Sequence, residues 1–226
     1  MNYLEFKQSV YSKIDKEYYE FSSGLSNSGM KYLGVRVPVL KALVKKEKDD
    51  SELKVEDFEI NDSHEILCAF MWLNLLRIKD YKEQFKFINK YISKCLSWAI
   101  TDSLPQFISL DTPLYFYLKY FKKWCSSPDT YKRRFAYVFM MRFAKEKESL
   151  IYLDYIKNDN EYYVMMAEAW LMATSAIYYE DEIYNKLNSG ILNKQLVQKT
   201  ISKIVDSYRI TNEIKNKFKS IRNKDY

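Results

Sequence analysis

The stretch "SWAITDSLP" places Trp98 four residues before Asp102. On a helix that spacing puts an indole ring and a carboxylate on one face, a turn apart. The pair fits the floor of an active site, and it equally fits a core tryptophan beside a solvated aspartate. Asp102 stands in "ITDSL", between apolar residues, where a merely solvent-facing position does not require an acid. Ser103 and the turn after Pro105 add hydrogen-bonding groups but no catalytic partner.

Further along, "YKRRFAYVFMMRF" holds Arg133 and Arg134 side by side. Adjacent residues point about 100° apart around a helix. One can therefore reach an open face while the other covers a neighbouring helix. Guanidinium suits bidentate contact with phosphate or carboxylate, and structural ion pairing is the alternative use. Arg142 falls two turns beyond Arg134 and extends the same basic strip. In "MAEAWLMATSA", Ala167, Ala169, Ala173 and Ala176 thin a helix around Trp170. Small residues permit close helix packing; they also leave room beside an indole for a flat ligand or a sugar. Glu168, in this apolar run, requires a partner such as a basic group on the next helix.

Lys194, Lys199, Lys203 and Arg209 are spaced to meet a polyanion intermittently, with Arg36 in "LGVRVP" at the opposite end of the chain. Ordinary surface cations explain many such sets. His64 precedes Glu65 at a helix start, a place for a cap or packing residue rather than a base. The chain has one histidine and three cysteines, Cys68, Cys95 and Cys125, each among apolar or aromatic neighbours. That composition offers no zinc set and reads as core thiols in a reducing compartment. No phosphate-cradling glycine loop, G-x-S-x-G elbow or H-E-x-x-H motif occurs.

The elements that must carry these residues are helices. Only 4 Gly and 4 Pro interrupt 226 residues, and apolar positions recur at three and four. Residues 3–22 read as helical, followed by a Ser/Gly loop, "SSGLSNSGMKYLGVRVP". Pro38 suits the first turn of "PVLKALVKK", and Ser63 or Asp62 can cap "NDSHEILCAFMWLNLLRI". Helix then follows helix to the end, with "SLIYLDYIK" among them. At 47% hydrophobic and 29% charged, the chain is globular. Its net charge of +6 is compatible with a polyanion without requiring one. The N-terminus has no signal-peptide core and no run reaches the length of a membrane span, so a cytoplasmic location is expected. Trp98, Arg134 and Trp170 lie 36 residues apart, a spacing that suits paired helices stacked in a solenoid. Equivalent positions in such a stack line one face.

Several segments occur in order: "YLGVRVPVLKALVKK", "SHEILCAFMW", "SWAITDS", "YKRRFAYVF", "MMAEAWLMA" and "KTISKIVDSYRIT". By their order and spacing, from about residue 28 to 220 of a single domain spanning 1–226, the chain resembles the DNA alkylation repair family. These are the AlkD-like glycosylases built of HEAT-like repeats. The resemblance implies a curved all-α HEAT-like solenoid that holds duplex DNA in a basic concave groove. It implies a monomeric, monofunctional enzyme without metal or cofactor that excises cationic alkylpurines such as N3-methyladenine and N7-methylguanine. It matches Trp98, Asp102 and Trp170 to the residues that contact the lesion's deoxyribose. Arg134, with Arg133 as second choice, is matched to the arginine on the backbone. It further implies excision without enclosing the base in a protein pocket. Two features depart from the pattern: "LMATSA" stands where many active relatives carry a longer basic run, and "SYRIT" marks a subgroup. A non-catalytic DNA-binding paralogue and a protein-binding scaffold are the alternatives.

Overall fold

The computed structural model describes residues 1–24 and 29–223. Part of the expected Ser/Gly loop, at 25–28, lies outside the described residues, as do 224–226. Among the described residues there are twelve α-helices joined by 3-10 turns and loops, and no strand. This is the all-α class of HEAT-like helical repeats. The chain divides into two compact units, Met1–Thr112 and Pro113–Tyr226. No helix is long and apolar enough to cross a membrane among the described residues.

In the first unit, α1 (Tyr3–Tyr11) starts from a capping box: Asn2 and Glu5 each accept the other's backbone N–H at 3.0 Å. The expected helix over 3–22 is split. Asp15 leaves helical geometry to cap α2 (Lys16–Ser23), accepting from the Tyr18 N–H, and its own N–H donates to the Gly34 carbonyl. A local side-chain bond and a long-range backbone bond outweigh the helical pattern there. After α3 (Val37–Lys46), the polar loop is tied down by Arg77, which donates to the carbonyls of Glu47, Lys48, Asp50 and Leu53. Helix α4 (His64–Arg77) is buried over nearly its whole circumference, so it forms the unit's centre. Ser63 caps it; Asp62 instead pairs with Lys7 at 2.7 Å. Helix α5 (Tyr81–Tyr91) buries Phe85 and Ile88, and the short α6 (Trp98–Ser103) runs into a 3-10 turn at Leu104–Phe107.

The second unit opens with α7 (Leu114–Trp124), which buries Leu114, Tyr117, Phe121 and Trp124 along one stripe. Next come α8 (Thr130–Met140) and α9 (Tyr162–Ser175), which pack together; α9 also packs on α11 (Lys194–Asp206). Helices α10 (Glu180–Leu187) and α12 (Asn212–Lys219) cover the outside with one buried edge each. Between α8 and α9, most of "SLIYLDYIK" is 3-10 rather than α-helical, as part of a segment that ends at Tyr155 (Lys147–Tyr155). Trp98, Arg134 and Trp170 thus recur on α6, α8 and α9, with α7 and a 3-10 turn between the first two and two 3-10 segments between the second two.

Gly34 has no room for a side chain. Its φ is +85°, and a Cβ there would lie 2.6 Å from the Tyr19 Cβ and 2.9 Å from the Asp15 carbonyl oxygen. Gly34→Ala combines left-handed strain with a backbone clash and is expected to cost about 2–3 kcal/mol in a urea titration. A change within about 0.5 kcal/mol would contradict this packing.

Candidate functional site

Helix α6 sets the first cluster. Ile100, Thr101 and Ser103 are buried, whereas Trp98, Ala99 and Asp102 are half-buried, so indole and carboxylate share the helix's partly open side. Ser97, fully buried, starts the helix: its hydroxyl accepts from the Ala99 N–H at 3.1 Å and from the Tyr32 hydroxyl at 3.4 Å. The Thr101 hydroxyl has the Trp98 carbonyl at 3.2 Å and the Asp102 carboxylate at 3.4 Å. Ser103 accepts from the Trp72 indole N–H at 2.9 Å and donates to the Ile100 carbonyl at 2.6 Å. Its own carbonyl accepts from Gln106, which accepts from Lys41 at 2.7 Å. Six residues would make a marginal helix in water; here the buried Ser103 hydroxyl ties it to Trp72 of α4.

Trp98 also lines a cleft of about 190 Å³, with Tyr18, Tyr32, Val37, His64, Glu65, Trp72 and Ala99 among its other walls. The Glu65 carboxylate is buried and accepts three successive backbone N–H groups, from Leu33, Gly34 and Val35, at 2.8–3.2 Å. Such a run of amides is an anion nest, filled here by the protein's own side chain. His64 stacks on Tyr32 with ring centres 4.5 Å apart. Burial pushes its imidazole down to about 4, so the ring is neutral at ordinary pH. It is a packing residue, as its position suggested. Cys68, Cys95 and Cys125 are all buried and free.

The second cluster belongs to the second unit. Trp170 is 41% exposed on α9, and the Lys203 ammonium lies 5.7 Å from its ring centre. Around them a depression of about 320 Å³ is lined by Ala173, Thr174, Ile177, Asp206, Ser207 and Tyr208. Of the four thinning alanines, Ala173 alone borders this space; Ala167, Ala169 and Ala176 are packed in the core. Tyr208 is 94% exposed, an aromatic that helical periodicity had no means of flagging, because it follows α11 in a turn.

Arg133 and Arg134 meet different partners, and neither reaches an open face as expected. Arg133 gives two donors to Asp159, at 2.7 and 3.2 Å, and another to the Ser127 and Pro128 carbonyls. Arg134 is buried, with a guanidinium nitrogen donating to the Tyr163 carbonyl at the start of α9. Arg142 does not continue α8; it sits in the following 3-10 turn, its guanidinium 4.9 Å from the Phe139 ring centre. Lys194 opens α11 exposed, and Lys199 is half-buried on the same helix. Arg209 bonds the Tyr178 hydroxyl and covers its ring. Arg36, in the first unit, pairs with Asp15 at 2.7 Å and covers Tyr18. Trp98 and Asp102 are therefore joined on one helix of the first unit, and Trp170 and Lys203 on packed helices of the second, with Arg134 beside α9.

Glu168 has no basic partner among the described residues. Its carboxyl is held by the backbone N–H groups of Lys157 and Asp159 and by Tyr137, and burial, reinforced by Asp159, raises it to about 7. The Tyr137 hydroxyl donates to the Tyr155 carbonyl at 2.9 Å, which leaves its oxygen to accept from a protonated Glu168. Between 4.5 and about 7 the folded protein keeps a proton that the unfolded chain has released, so stability falls as pH rises through this window. The slope approaches about 1.4 kcal/mol per pH unit. Glu168→Gln is expected to flatten that slope in urea titrations across the window. An unchanged slope would assign it to another group.

Residues 6–207 match the sequence profile of a family described as DNA alkylation repair enzyme. Comparison with curated proteins gave no match.

Proposed function

The chain belongs to the DNA alkylation repair enzyme family, and on that premise we propose that it is a monofunctional glycosylase. It hydrolyses the N-glycosidic bond of cationic alkylpurines, of the N3-methyladenine and N7-methylguanine kind, in duplex DNA, and acts as a monomer. The single observation that carries the reading is the partly open side of α6. It presents Trp98 and Asp102 together, backed by the buried hydroxyls of Ser97, Thr101 and Ser103.

The chemistry follows from the substrate. An alkylated purine already bears positive charge, so it leaves with the bonding electron pair and needs little acid help. Positive charge passes to the sugar as an oxocarbenium ion. The Asp102 carboxylate stabilises that ion and orients the attacking water, whose surplus proton passes through Asp102 to solvent as the new C–O bond forms. Trp98 and Trp170 present ring faces that attract the developing cation. The family resemblance assigns the phosphate backbone to Arg134, with Arg133 second; both are engaged within the protein, Arg134 buried on the Tyr163 carbonyl and Arg133 on Asp159 and two carbonyls, so either must release a bond to reach phosphate. Lys194, Lys199, Lys203, Arg209, Arg142 and Arg36 supply basic surface for the duplex.

Asp102→Asn is expected to keep the fold and most duplex affinity while single-turnover release of N7-methylguanine falls by at least about a hundredfold. An undiminished rate would remove Asp102 from the mechanism. Lys203→Gln should weaken binding to lesion and undamaged duplex about equally and lower the slope of log affinity against log salt by about one contact. A loss confined to the lesion duplex would instead give Lys203 a role at the damaged nucleotide.

A further inference from the structure

Helix α3 carries two lysines one turn apart, Lys41 and Lys45, which the reaction just described does not use. At i and i+4 both ammonium groups can meet one anion; without it, like charges at that spacing repel. The adjacent Lys46 reaches the Glu47 carboxylate at 3.3 Å. Among the described residues neither Lys41 nor Lys45 pairs with a carboxylate. Lys41 is half-buried, and burial, then Lys45, draws its ammonium below the ordinary lysine range. A partly desolvated charge is stabilised by an opposite one, so an anion is the partner this position lacks. Two point-charge ammonium groups suit a phosphate, whose oxygens accept in several directions, whereas a planar carboxylate is better matched by guanidinium.

Lys41 also belongs to a closed ring of contacts. One of its three donors goes to Gln106 Oε1 at 2.7 Å. The Gln106 amide nitrogen donates to the Ser103 carbonyl at 2.7 Å, and the Ser103 hydroxyl accepts from the Trp72 indole N–H at 2.9 Å. The Trp72 ring centre lies 5.8 Å from the Lys41 ammonium and closes the ring. Ser103 is the last residue of α6 and follows Asp102. Two hydrogen bonds thus join the ammonium to the helix that carries the candidate carboxylate.

We propose that Lys41 and Lys45 form a phosphate site on α3, occupied by an internucleotide phosphate of the duplex. Lys41 is in addition a positioning residue: through Gln106 it passes the grip on phosphate to the end of α6 and fixes where Asp102 stands. The positioning role rests on the glycosylase reading; the phosphate site does not.

The test uses the whole chain. Affinity for an undamaged duplex is measured in a salt series. Lys41→Gln and Lys45→Gln should each lower the slope of log affinity against log salt by about one contact, and Lys41→Arg should keep it. Gln106→Glu gives Lys41 the carboxylate it lacks and should lower the slope with both lysines in place. Lys45→Gln leaves the Trp72 and Gln106 contacts intact, so it decides the site if Lys41→Gln does not fold. An unchanged slope in Lys45→Gln, or in folded Lys41→Gln, overturns the paired site. Inorganic phosphate, the other source of the same chemistry, is titrated separately. Saturable binding of it that needs both lysines, with no change in the duplex slope, would overturn the duplex as the occupant. At saturating protein, Gln106→Ala cuts the tie and keeps both lysines. It should retain the salt slope and slow single-turnover release of N7-methylguanine by about tenfold. An unchanged rate overturns the positioning role. If the wild type releases no base, that role falls with the glycosylase, and the salt series still decides the phosphate site.

Discussion

The first unit is organised around one buried carboxylate. Glu65 gathers the amides of Leu33, Gly34 and Val35, and the His64 N–H adds a bond to the Lys31 carbonyl. Together these pin an irregular segment to the start of α4. Leaving Glu65 buried and unpaired would be costly, so the segment has few alternatives. Everything near Trp98 inherits that constraint. Tyr32, fixed by the segment, reaches the Ser97 hydroxyl that starts α6. Gly34 must be left-handed for its amide to join the nest, and the same conformation lets its carbonyl receive the Asp15 N–H that starts α2.

The second unit uses buried polarity differently. Glu168 sits among apolar residues of α9, with no cationic partner among the described residues, and holds a proton to near-neutral pH. Arg133 and Asp159 form the ion pair beside it, with side chains only 14% and 15% exposed. Arg134 spans from α8 to the first turn of α9 through the Tyr163 carbonyl. The helix carrying Trp170 is thereby anchored at its N-terminal end, while the indole itself stays open, with Lys203 over it. An exposed aromatic on a rigid helix presents a stacking surface without the entropy cost of a loop.

The helical class was legible because three- and four-residue periodicity runs through almost every segment, and α7 shows it with Leu114, Tyr117, Phe121 and Trp124 all buried. Places where the reading erred are those where long-range bonds decide. Nothing local announces that Asp15 will end one helix and cap the next, because its amide partner is Gly34. The 3-10 character of Lys147–Tyr155 likewise has no sequence marker. Trp98 and Asp102 were legible as a pair because i and i+4 residues share a helix face. The cleft that Trp98 lines was not, since Tyr18, Tyr32 and Trp72 come from three separated segments. A basic partner for Glu168 was a reasonable expectation that backbone amides and Tyr137 replaced.

The account stands or falls on whether the wild-type protein breaks a glycosidic bond. The direct measurement is incubation with methylated duplex DNA, followed by chromatography of free bases and by strand analysis before and after alkali. The glycosylase account predicts free methylpurines, and strands that stay whole until alkali opens the abasic sites. Saturable duplex binding with no free base above the protein-free control would contradict it, and would leave a DNA-binding protein without catalysis.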